Sequence, residues 1–213
     1  MAKSTATPKR PIRTKLPRAT DSNGAGGKFK AISVVNLDEI QMQPIAGQFL
    51  TFAEAYMDTA SRQCEHLARN PGQFNYAHGA AVMFLIFHGI ELFLKAAILQ
   101  RAPGEQFKGP AGHDLDALLT RYSSLYQSSE HALGIPWSLE APDYGARYDA
   151  RLAEELRARD RAMPRDQMNR YPTDRNSKAW RGVFGFEPIS CLRDISRTQV
   201  EFERLKPLLF PHT

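Results

Sequence analysis

The run AAVMFLIFHGIELFLKAAIL, residues 80–99, constrains this chain more than any other stretch. Twenty residues of this kind are long enough to reach across a bilayer. The run, however, holds His88, Glu91 and Lys95, and each charge costs about 2.5–3.5 kcal/mol at the centre of a spanning helix. That argues against a membrane span. It favours a helix that is apolar all round because neighbouring helices cover it. At 100° per residue, Phe84, His88, Glu91, Lys95 and Ile98 share one stripe of that helix. Glu91 precedes Lys95 by four residues, the favourable direction for an ion pair. Two readings follow. The stripe is the wet seam of a buried helix, or it lines a groove or dimer cleft.

The flanking sequence supplies partners for such a helix. Phe49, Phe52, Ala53, Tyr56, Met57, Ala60, Cys64 and Leu67 recur at steps of three and four, which predicts an amphipathic helix over 46–70. Asn70-Pro71-Gly72 ends it, and the central helix follows from about Asn75 to Arg101. After GPAGHD, Leu115, Leu118, Leu119, Tyr122 and Leu125 fall on one face, with Asp114 placed to cap the third helix. A last helix opens at Pro188, which suits a first helical position, and runs to Leu205 or Leu209. Between these, residues 128–187 carry Pro136, Pro142, Pro164 and Pro172 and fewer apolar residues. They read as an irregular insertion with one charged helix near 146–162 and a short strand near WRGVFGF. The expected fold is all-α: an up-and-down bundle of four or five helices over 31–213.

Charge is concentrated at the start. Residues 1–30 hold eight Lys or Arg against Asp21, a net +7 in a chain whose total is +5, so the other 183 residues carry −2. With few apolar residues, this segment is expected to be a disordered basic tail. It either solubilises the protein or makes salt-sensitive contact with phosphates or an anionic surface. Pro8, Pro11 and Pro17 argue against an amphipathic transit helix. The two cysteines, Cys64 and Cys191, read as reduced thiols of a cytoplasmic protein. No HExxH, CxxC or acidic pair at ligand spacing is present, and GAGGK at 24–28 has no strand before it, so neither metal nor cofactor is expected.

A buried helix bearing GIELFLK, a short Gly/Pro loop and GHDLDALL opening the next helix resemble the HEPN superfamily (higher eukaryotes and prokaryotes nucleotide-binding). The resemblance covers about 46–127 closely and 165–209 loosely, with Arg170-Tyr171-Pro172 matching an RYP found in some bacterial branches. It implies a helical bundle that dimerises. It also implies one of two roles: a binding or regulatory module, or a metal-independent endoribonuclease of a toxin–antitoxin or phage-defence system. Active members carry an Arg, four to six residues and then a His on a late helix. There a near-neutral imidazole moves protons and a guanidinium holds the phosphate. This chain departs from that spacing. Arg62 and His66 enclose three residues, on an early helix. The function expected is therefore a non-catalytic module that contacts RNA or a nucleotide as a homodimer. The endoribonuclease is the alternative, with His113 and Arg170 as its catalytic pair. The binding residues expected are His88, Glu91, Lys95, Asp114 and Tyr171. His113 and Asp114 either cap the third helix or approach Glu91 and Lys95 as one polar cluster.

Overall fold

A computed structural model describes residues 37–136, 149–155, 173, 177 and 186–211. The regular structure among them is helical, with no β-strand, so the fold is all-α. A short α1 (Asp38–Gln41) precedes four longer helices: α2 (Ile45–Arg69), α3 (Tyr76–Arg101), α4 (Leu115–Leu125) and α5 (Pro188–Leu209). A further helical segment occupies 150–155, inside the charged helix expected near 146–162. The rest of that helix, the basic tail, Arg170, Tyr171 and WRGVFG before Phe186 lie outside the described residues.

Each helix begins where local chemistry favours it. Asn75 caps α3: its side chain accepts from the Ala77 N–H, and the His78 ring accepts from the Asn75 N–H. Asp114 caps α4 by accepting from the Ala117 N–H at 2.9 Å. Glu187 caps α5 by accepting from the Ile189 and Ser190 N–H groups, and Pro188 follows at the first helical position.

Packing explains the apolar pattern. On α2, Leu50, Ala53, Met57, Ala60, Cys64 and Leu67 are buried at alternating steps of three and four. On α5 the same steps link Cys191, Ile195, Thr198, Phe202, Leu205 and Leu209. Helix α3 meets α2, α4 and α5, and it is buried from Ile86 to Leu99 except at His88 and Leu92, which are partly covered. It is long and apolar enough to cross a membrane by length and composition, but 72% of that stretch is buried within the protein. Close approach to α2 depends on Gly89, where an added Cβ would sit 2.9 Å from the Met57 sulfur. The start of the proline-rich insertion is fastened rather than loose. Arg204 of α5 donates to the carbonyls of Glu130 and Ala132, and the Gly134 N–H reaches Glu201.

Candidate functional site

The stripe read from the sequence is not a wet seam. Glu91 is 1% exposed and Lys95 4%, so both charges are sealed in the bundle. Such a pair is tolerated only when each charge is fully partnered. The Lys95 ammonium donates to Glu91 Oε1 at 2.7 Å and lies 5.1 Å from the centre of the Phe107 ring, a cation–π contact. His113 Nδ1 meets the same Oε1 at 2.9 Å, and His88 Nδ1 lies 3.4 Å from Oε2.

The loop after α3 brings these groups together. It leaves the helix at Ala102, and Phe107 lies against the Lys95 ammonium. It then turns through Gly109, at φ +66°, into a 3-10 turn over Pro110–His113. Only a residue without Cβ fits at 112, where a Cβ would lie 2.6 Å from the Phe107 carbonyl carbon. The Gly-rich spelling of GPAGHD thus sets His113 over Glu91.

Burial by itself raises a carboxyl group's pKa. At Glu91 that effect is outweighed by the hydrogen bonds from His88 and Lys95, the Lys95 charge and the hydrogen bond from His113, which hold the group at about 2. The carboxylate is therefore an acceptor only, and each imidazole that bonds to it must donate through Nδ1–H. That assigns the tautomer and leaves Nε2 as the basic nitrogen of His113 and of His88 when neutral. The His113 side chain is 56% exposed and that of His88 is 24% exposed. Around His88, Phe84 stacks at 5.6 Å between ring centres and Tyr56 presents an edge at 4.7 Å.

The structure therefore brings together His88, Glu91, Lys95 and His113, with Phe107, Tyr56 and Phe84 around them. Asp114 does not join; its carboxylate is used in the α4 cap. Arg170 and Tyr171 lie outside the described residues. The near-miss Arg62 is ion-paired with Asp58 on the exposed side of α2, and His78 serves the α3 cap. Among the described residues no three His, Cys, Asp or Glu side chains are arranged to hold a metal ion. The sequence reading placed Phe84 on the same stripe but missed Phe107 and Tyr56 as partners. The loop's spacing from Lys95 was visible, but no periodicity reveals which way a loop folds back. A separate cleft of about 380 Å³ lies away from this cluster, walled by residues such as Arg101, Tyr126, His131 and Leu209. No family model matches the chain, and neither a curated protein nor a solved structure resembles it significantly.

Proposed function

We propose that this chain is a HEPN-like helical module that binds RNA or a nucleotide without cutting it, as a cytoplasmic homodimer. The observation that carries the reading is the division of the cluster into a sealed and an accessible half. Glu91 and Lys95 cannot reach a ligand, whereas the outer edges of His113 and His88 can. The His88 ring sits beside the partly exposed rings of Phe84 and Tyr56. Imidazole and aromatic faces together suit an unstacked base with an adjoining phosphate. The eight basic residues of 1–30 would add sequence-independent phosphate contacts.

One observation favours the endoribonuclease as a second reading. A half-exposed imidazole whose Nδ1–H is held by a buried carboxylate is an arrangement that serves general acid–base catalysis. In that reading His113 Nε2 takes the ribose 2′-hydroxyl proton, and Arg170 holds the phosphate.

A mixed RNA pool in EDTA separates the two. The test compares the full-length protein, His113→Ala, and a variant with the eight basic tail residues changed to Gln. Retention of intact RNA, weakened by His113→Ala, is the result expected of the module. Loss of the tail charges should also flatten the dependence of binding on salt. Cleavage that disappears in His113→Ala would instead establish the enzyme. Absence of both binding and cleavage defeats both readings.

A further inference from the structure

The two cysteines lie 127 positions apart in sequence and meet across two helices. Cys64 is completely buried on α2, and Cys191 is nearly so in the first turn of α5. The Cys64 thiol donates to the Pro188 carbonyl oxygen at 3.2 Å. Cys191 follows Pro188 by three residues, so its side chain stands over the same face of α5. The Cys64 sulfur thus sits at a carbonyl one helical turn from the Cys191 side chain. The neighbouring Cys191 holds Cys64 below the ordinary thiol range, against burial and the Glu187 charge, while Cys64 and burial push Cys191 well up. The helix start itself is at the surface: Glu187 and Ile189 on either side of Pro188 are exposed. Opening of that first turn, a low-energy fluctuation at a helix end, would take the Pro188 carbonyl and Cys191 off the Cys64 sulfur.

We propose that Cys64 and Cys191 are a peroxide-sensitive dithiol whose disulfide fastens the first turn of α5 to α2. The Cys64 sulfur attacks one oxygen of hydrogen peroxide. The O–O bond breaks, water leaves after proton transfer, and Cys64 becomes a sulfenic acid. The Cys191 sulfur then attacks the Cys64 sulfur. The S–S bond forms, the S–O bond breaks, and a second water carries off the hydroxyl and the Cys191 proton. Two thiols and one peroxide thus give one disulfide and two waters, and a small dithiol reductant reverses the change.

The test treats the full-length protein with hydrogen peroxide, then unfolds it in the presence of N-ethylmaleimide. Intact mass and peptide mapping follow. The expected product has the mass of a single chain with no alkylated cysteine, and one cross-linked peptide pair containing positions 64 and 191. Dithiothreitol should restore both thiols. The cross-link should raise Tm by roughly 5–10 °C, because it closes a long loop of the unfolded chain. Cys64→Ser and Cys191→Ser should each abolish the shift, and either serves as control if the other folds poorly. Three outcomes overturn the proposal: both thiols still alkylated, over-oxidation at one cysteine without a cross-link, or disulfides only between molecules.

Discussion

Glu91 carries its charge where water does not reach, so protein groups alone stabilise it. Glu91→Gln would leave the Lys95 ammonium buried without a counter-charge, at a cost of about 3–5 kcal/mol in urea unfolding. Replacing both residues, as in Glu91→Gln with Lys95→Met, should recover most of that loss, since an apolar pair of similar volume needs no partners. Acid should act through the same group. The carboxyl ionises at about 2 in the folded chain, against an ordinary 4.5. Its contribution is therefore complete above pH 4.5 and is lost as pH falls towards 2, on the order of 3 kcal/mol in all. Urea midpoints measured from pH 5 to 2 should show that fall in the wild type and a shallower one in Glu91→Gln. His113→Ala is a milder change. Its ring is half exposed, and Glu91 keeps Lys95 and His88, so about 1 kcal/mol is expected. A far larger loss would make His113 chiefly a structural tie and remove the main support for a ligand-binding role.

At the scale of elements, helix starts and helix contacts respond to different changes. Asn75→Ala removes the acceptor for the Ala77 N–H and should cost about 1 kcal/mol by thermal unfolding. Gly79 lies in α3 against Phe186, just before α5; an added Cβ would come within 2.4 Å of the Phe186 ring. Alanine is the better helix former by about 1 kcal/mol. Gly79→Ala should nonetheless destabilise by about 1–2 kcal/mol, because the Phe186 Cβ is also within 2.7 Å and the whole residue must move. A double-mutant cycle provides the check: adding Gly79→Ala to Phe186→Gly, which lacks both the ring and the Cβ, should cost nothing further. The Asp114 cap was legible in the sequence because it stands directly before apolar periodicity, whereas Asn75 read only as the start of the central helix. The Gly79–Phe186 contact was not, since it joins residues 107 positions apart and leaves no local pattern.

For the whole molecule, α3 is the shared wall of the core. Phe93 of α3 stacks on Phe202 of α5 at 3.9 Å and meets the edge of Phe210. Phe202→Ala should cost about 3–5 kcal/mol. Hydrogen exchange should then show faster opening of amides in α3 and α5 alike, because one core unites them. Loss of protection confined to α5 would contradict that unity. By itself, the sequence determined that the chain folds as helices, where α2 to α5 lie and, apart from the exposed Phe52, which faces they bury. Three- and four-residue spacing, caps and prolines act over a few residues, so they can be read locally. It also placed His88, Glu91 and Lys95 on one stripe. Only the tertiary structure decided that Glu91 and Lys95 are sealed while His113 and His88 are reachable, that Asp114 caps a helix instead of joining them, and that Cys64 meets Cys191. Burial and partnership depend on which distant segments cover a face, and that depends on how a Gly-rich loop and a late helix fold back over α3.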